Sequence, residues 1–129
     1  MFQEDFRTSE FKSMNIVIID DNIDILEMTR FMLESTYNCL CFESYQCALN
    51  FIILNARHVD FILCDNYLGE QRGEKLLETI KTRFPHIKAA IMTAGIEDES
   101  SFKHIDGFIQ KPFMEEGIKN FIQETMKGR

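Results

Sequence analysis

Phe61-Ile62-Leu63-Cys64-Asp65 decides how the rest of the chain reads. Four apolar residues end in one carboxylate, and Asn66-Tyr67-Leu68-Gly69 follows as a loop. A continuous apolar run bounded by polar residues fits a strand buried on both faces of a parallel sheet. Asp65 then stands at the carboxyl end of that strand, where open α/β sheets place their ligands. Taken alone, the aspartate reads better as a cap of the next turn. Other strands shift that balance.

Upstream, Ile16-Val17-Ile18-Ile19 is a second buried-strand candidate, and it ends in Asp20-Asp21. Asn22 is a candidate N-cap for a helix over 23–36, with Ile25, Met28 and Met32 spaced by three and four. Residues 38–42 read as a short strand. Ser44 caps a helix whose buried face is Tyr45, Ala48, Leu49, Ile52 and Ile53. Downstream, Gly69 and Gly73 bracket a loop. Leu77, Ile80 and Phe84 mark a third helix, which Pro85 ends. Residues 88–93 form the next strand, closing on Thr93. Residues 97–104, around Phe102, give at most two helical turns. Residues 107–110 form a fifth strand before Lys111-Pro112, and Met114, Ile118, Phe121 and Ile122 share one face of a last helix. Five alternations of strand and helix specify an α/β fold, a doubly wound five-stranded parallel sheet with helices on both faces and a short fourth helix.

The chain of 129 residues is long enough for one domain with a real core. Residues 1–13 read as an N-terminal arm, and 14–129 as the folded domain, with no repeat, linker or second domain. A net charge of −7 without a basic cluster argues against nucleic acid or an anionic membrane as a direct partner. No apolar run is long enough for a transmembrane helix or a signal peptide. Cys39, Cys41, Cys47 and Cys64 lack metal-site spacing and are expected to be buried thiols in a reducing cytoplasm. Cys39 and Cys41, two apart in a strand, point to one face.

The strand ends gather an unusual set: Asp20 and Asp21, Asp65, Thr93 and Lys111. Each has an ordinary reading, as a helix-start charge, a turn cap, a strand residue or a surface lysine. Jointly they describe a site. Two carboxylates about 4 Å apart repel by roughly 4 kcal/mol at an effective dielectric of 20, so such a group takes up protons or a cation. All-oxygen ligands suit a hard ion, and magnesium commonly takes one or two carboxylates with water and a phosphate oxygen. One carboxylate can then attack phosphorus. The lysine and the hydroxyl can receive the new phosphoryl oxygens.

Ile18-Ile19-Asp20-Asp21-Asn22, Leu63-Cys64-Asp65, Met92-Thr93-Ala94 and Gln110-Lys111-Pro112-Phe113 resemble the signature of bacterial response-regulator receiver domains of two-component signalling. The resemblance runs in order over residues 15–127. It implies the strand order 2-1-3-4-5 and a phosphorylation-controlled switch. In that reading Asp65 accepts a phosphoryl group from a sensor histidine kinase or a phosphotransfer protein. It also implies a Mg2+ cofactor held by Asp20, Asp21, Asp65 and the backbone carbonyl of Tyr67. Thr93 is the switch hydroxyl, Lys111 pairs with phosphate across a cis Lys111–Pro112 bond, and Phe108 is the switch aromatic. No further enzymatic activity is implied beyond self-phosphorylation and slow autodephosphorylation. Gly69 stands where the family usually has proline, Phe108 replaces the commoner tyrosine, and the stretch from Thr93 to Lys111 is about one helical turn short. Phe108 lacks a phenolic oxygen and is expected to be mostly buried at rest.

A stand-alone receiver acting on a downstream protein is the leading expectation, and a pseudo-receiver that binds partners without phosphorylation is the alternative. A phosphohydrolase with an aspartyl-phosphate intermediate needs a second acid close after the nucleophile, and Asn66-Tyr67 supplies none. A flavin site is disfavoured because Asp20-Asp21 repels a phosphate from the first loop.

Overall fold

Every residue from Phe61 to Asp65 is buried, and this segment is the centre of the sheet. The computed structural model describes residues 14–95 and 105–128. In chain order its elements are β1 (Asn15–Ile19), α1 (Ile23–Leu33), β2 (Asn38–Phe42), α2 (Tyr45–Asn55), a short 3-10 turn (Ala56–His58) and β3 (Phe61–Asp65). There follow β4 (Tyr67–Leu68), β5 (Gln71–Arg72), α3 (Gly73–Arg83), β6 (Lys88–Thr93), β7 (Gly107–Gln110) and α4 (Glu115–Lys127). The main sheet is parallel in the order β2-β1-β3-β6-β7, which is 2-1-3-4-5 when its five strands are counted alone.

Alternation along each strand splits the core into two layers. Ile16, Ile18, Phe61, Leu63, Ala90 and Met92 pack on Leu26 and Leu33 of α1 and on Ile118 and Ile122 of α4. Val17, Ile19, Ile62, Cys64, Ala89 and Ile91 pack on Ala48 and Ile52 of α2 and on Leu76, Leu77 and Ile80 of α3. Burying a leucine or isoleucine side chain contributes roughly 1.5–3 kcal/mol, so this double layer fixes the register that aligns the strand ends.

Local chemistry explains where the helices begin. The Asn22 side chain accepts the N–H of Ile25 at 3.1 Å, and Ser44 accepts that of Cys47 at 3.0 Å. Arg72, at the N-cap of α3, gives no side-chain capping bond to the helix N–H groups. Asn66 Oδ1 takes over from outside the helix, accepting the N–H of Glu74 at 3.2 Å.

Several expectations need correction. Helix α1 ends at Leu33, and its buried residues are Leu26, Thr29 and Leu33. Met28 is 46% exposed. The face is shifted because Thr29 donates its hydroxyl to Ile25 O at 2.8 Å and so enters the core without an unpaired donor. Met114 is 77% exposed, since it stands at the N-cap of α4 and lies outside the helical stripe. The loop after Asp65 is a small antiparallel hairpin, with Tyr67 opposite Arg72 and Leu68 opposite Gln71. Gly69 begins its two-residue turn at φ +65°, the left-handed region that glycine adopts at low cost. The cysteines are not uniformly buried. Cys39 and Cys64 are buried, Cys41 is half-buried and Cys47 is exposed in the first turn of α2. Cys39 and Cys41 do share a face, both packing in the α1/α4 layer. The short fourth helix expected at residues 97–104 and the arm assigned to residues 1–13 lie outside the described residues. No helix among the described residues is long and apolar enough to cross a membrane.

Candidate functional site

The sheet brings the carboxyl ends of β1, β3, β6 and β7 side by side. Asp65 pairs in register with Met92, and Thr93 with Gln110, so Lys111 emerges next to the acidic strand ends. The Lys111 N–H donates to Thr93 O at 2.6 Å, extending that pairing by one residue, and the Lys111–Pro112 bond is cis. Lys111 Nζ then sits 2.8 Å from Asp20 Oδ2 and 2.8 Å from Asp65 Oδ1. The three side chains are nearly buried, at 12% exposure for Lys111, 1% for Asp20 and 11% for Asp65.

Each carboxylate is also tied to backbone. Asp20 Oδ1 accepts the N–H of Asn22 at 3.0 Å, and Asp65 Oδ2 accepts that of Tyr67 at 3.3 Å. Asp21 is exposed, and its Oδ2 accepts the N–H of Gly69 at 2.8 Å, linking the β1 end to the β4–β5 turn. Oxygens of Asp20, Asp21 and Asp65 all lie within 4.8 Å of one another. One ammonium therefore faces three carboxylates at the foot of an open cleft of about 510 Å³, lined also by Tyr67, Ala94 and Gly95.

The imbalance shows in the titration of the groups. Burial raises the pKa of Asp65, the Lys111 hydrogen bond opposes it and the Asp20 charge adds to it, leaving Asp65 above the ordinary carboxylate value. Burial opposes the charge on Lys111, but the bonds and charges of Asp20 and Asp65 together outweigh burial, and the ammonium is held above its usual range. The neighbouring Cys64 thiol is pushed well up, first by burial and then by Asp65 and Asp20. An acidic, all-oxygen donor set with one carboxyl reluctant to ionise fits a hard divalent cation.

The structure brings Asp20, Asp21, Asp65 and Lys111 together as expected. Thr93 is fully buried at the same end of the sheet, with its Oγ1 accepting the N–H of Gly95 at 3.3 Å. Tyr67 is 49% exposed at the cleft. Phe108 lies in β7 opposite Ile91 and packs partly buried on the α2/α3 layer, outside the acidic group. The ring is thus largely covered at rest, as expected, and its remaining exposure comes from the edge position of β7, where Gly107, Phe108 and Ile109 are all partly covered.

Residues 16–123 match the family model of the response regulator receiver domain. The chain belongs to the response-regulator receiver family. A response-regulator relative from Arabidopsis thaliana is 23% identical over 130 residues, which is 98% of this chain and 21% of its own. The two-component response regulator EHD1 of Oryza sativa subsp. indica is 23% identical over 119 residues, 88% of this chain and 35% of its own. The receiver thus spans 21% to 35% of the length of these curated relatives. A CheY-like receiver protein from Methanospirillum hungatei JF-1 superposes with a TM-score of 0.79 at 26% identity, covering 88% of this chain and 94% of that one. A response regulator from Burkholderia pseudomallei, solved with a phosphorylated aspartic acid, a calcium ion and citrate, superposes with a TM-score of 0.75 at 22% identity, covering 89% and 69%.

Three features of this receiver were not found by reading residues. Gly73 is required because a Cβ there would meet the backbone carbonyl O of Asp65 at 2.2 Å, so α3 starts directly against the acidic strand end. Asn66 is fully buried, and among the described residues its Nδ2 has no hydrogen-bond partner. Arg72 stacks on Tyr67, with its guanidinium carbon 4.6 Å from the ring centroid. The signal for the first was a glycine at a loop–helix junction; the other two are tertiary contacts with no local pattern.

Proposed function

We propose that this receiver is a phosphorylation-controlled signalling switch in which Asp65 accepts a phosphoryl group from a sensor histidine kinase or a phosphotransfer protein. The observation that carries the reading is the bridge of Lys111 between Asp20 and Asp65, inside a group of three carboxylates. A related response regulator solved with a phosphorylated aspartic acid and calcium supports it.

An oxygen of Asp65 attacks the phosphorus of a phosphohistidine. The phosphorus–nitrogen bond breaks, its electron pair returns to the imidazole, and an acyl phosphate remains on Asp65. Tyr67 N–H holds the Asp65 oxygen that does not contact Lys111 and so orients the carboxylate. Lys111 neutralises the arriving phosphoryl oxygens, and the Thr93 hydroxyl donates to one of them. Asp20, Asp21, Asp65 and the Tyr67 carbonyl would hold Mg2+, which supplies charge neutralisation at the phosphoryl group. Movement of Thr93 toward the phosphoryl group then opens space beside Phe108, giving the two-state element that a downstream protein reads. The chain acts by itself as a switch, without a turnover reaction beyond its own phosphorylation and dephosphorylation.

Incubation with a small phosphodonor and magnesium, followed by intact mass, tests the assignment. One added phosphoryl mass is expected, lost on chelation of magnesium before the donor is added and absent in Asp65→Ala. Undiminished labelling of Asp65→Ala would overturn it.

A further inference from the structure

The β4–β5 hairpin is closed by a contact that the acidic site itself does not use. Tyr67 and Arg72 are direct cross-strand partners, and the Arg72 guanidinium lies over the Tyr67 ring at 4.6 Å. The same guanidinium meets Glu74 Oε1 at 3.1 Å. Glu74 is fixed in turn, since its N–H donates to Asn66 Oδ1 at 3.2 Å, and Asn66 is the residue after Asp65. The Tyr67 N–H returns to Asp65 Oδ2 at 3.3 Å. The contacts form a ring that leaves Asp65 through one side of the hairpin and comes back through the other. An arginine on an aromatic face contributes both electrostatic attraction and flat packing, and a second anchor on a carboxylate keeps it there.

We propose that Arg72 is a positioning residue that holds the Tyr67 ring across the mouth of the site and so lengthens the life of the phosphoryl group on Asp65. This rests on Asp65 being the phosphoacceptor. In the decay step a water oxygen attacks phosphorus and the bond to the Asp65 oxygen breaks. The carboxylate keeps that electron pair, and inorganic phosphate departs with the remaining oxygen and protons of the water. The attacking water must enter from the open side, facing away from the Asp65 oxygen. Tyr67 lines the cleft that opens onto Asp65 and is half exposed. On a strand of two residues, an unstacked ring at the surface changes rotamer within nanoseconds. An exposed cation–π contact shifts such a population by roughly two- to fivefold.

The test loads the full chain with a small phosphodonor and magnesium, removes the donor and follows decay by intact mass. Arg72→Ala is expected to shorten the half-life by roughly two- to fivefold. Tyr67→Ala should shorten it at least as much, and the double variant should decay no faster than Tyr67→Ala. Arg72→Lys, which keeps the cation, should decay more slowly than Arg72→Ala. Glu74→Gln releases the guanidinium from its far side without altering the hairpin and should give a smaller shortening, even if Arg72→Ala does not fold. In the unphosphorylated protein, nuclear Overhauser contacts between the Tyr67 ring and the Arg72 side chain should be present and should weaken in Glu74→Gln. A labelled wild type whose half-life is unchanged by Arg72→Ala and by Glu74→Gln overturns the proposal alone, as do additive effects in the double variant. A wild type that gains no phosphoryl mass overturns the phosphoacceptor assignment, and this proposal with it.

Discussion

The two ends of one sheet are built on opposite rules. At the amino ends of the strands, polar groups meet complementary partners within the protein. Asn15 donates its N–H to Asp60 Oδ2 at 2.8 Å and its side-chain amide to His58 O at 2.7 Å, and it accepts the amide of Asn38 at 2.8 Å. Asp106 Oδ2 accepts the N–H of Ala89 at 2.8 Å and Lys81 Nζ at 2.8 Å, and Lys81 also donates to Ile87 O at 2.9 Å. At the carboxyl ends, Asp20 and Asp65 share Lys111, and Asp21 adds a third carboxylate beside them. A satisfied network specifies register and adds stability; an unbalanced one waits for charge from outside. The site end therefore gives up stability that the far end supplies.

Substituting one lysine at each end should break the symmetry most sharply. Lys111→Met leaves Asp20 and Asp65 nearly buried without their cation, and a loss of about 3–5 kcal/mol is expected in metal-free buffer. Millimolar magnesium should recover much of it. Lys81→Met should cost less, about 1–2 kcal/mol, because Lys81 and Asp106 are 17% and 23% exposed, and magnesium should make no difference. Urea melts with and without magnesium measure both. An equal magnesium response in the two variants would erase the distinction.

Asp106→Ala is next in size. It removes the acceptor of the Ala89 N–H and the partner of Lys81, so about 1–3 kcal/mol should be lost at every magnesium concentration.

A substitution at Asp65 should stabilise. Asp65 has a folded pKa above its ordinary value of 3.8, so its neutral form is favoured by folding. Its contribution to stability is fully present below that ordinary value and is lost as pH rises through the folded pKa. Asp65→Asn removes that loss. A gain is therefore expected at neutral pH without metal, opposed by the lost attraction of Lys111 and fading as the pH falls toward the ordinary carboxylate value. Melts of both proteins across that range give the sign directly.

The contrast also explains what could be read from residues. The carboxyl ends were legible because several buried strands stop on a polar residue, as Ile19 does at Asp20 and Cys64 at Asp65, and the ordinary readings that serve each residue singly do not account for all of them together. The family resemblance then supplied the roles and the strand order, which the comparisons and the sheet bear out at the level of family and fold. The amino ends were not legible, because Asn15, Asp60 and Lys81 look like ordinary surface polars until the fold joins them. The buried face of α1 was misplaced for a related reason, since a threonine counts as polar until Ile25 O takes up its hydroxyl. The β4–β5 hairpin, with two residues per strand, is too short for alternation to show. The covering of Phe108 followed from its own chemistry, whereas the exposure that remains is set by an edge position that only topology reveals.

The smallest effect belongs to Cys47, where replacement by serine should change stability by less than about 0.5 kcal/mol. The four cysteines sort themselves by reactivity. Cys39 and Cys64 are shut away, the Cys64 thiol is held far from ionisation, and burial lifts half-buried Cys41 to about 11. Thiol-reactive dyes attack the thiolate, so near neutral pH they should enter at position 47 ahead of every other cysteine. A single fluorophore or spin label can thus be written onto the first turn of α2 in the natural sequence, with no cysteine removed and the strand beside Asp65 left unmarked. The protein carries its own attachment point for a distance ruler.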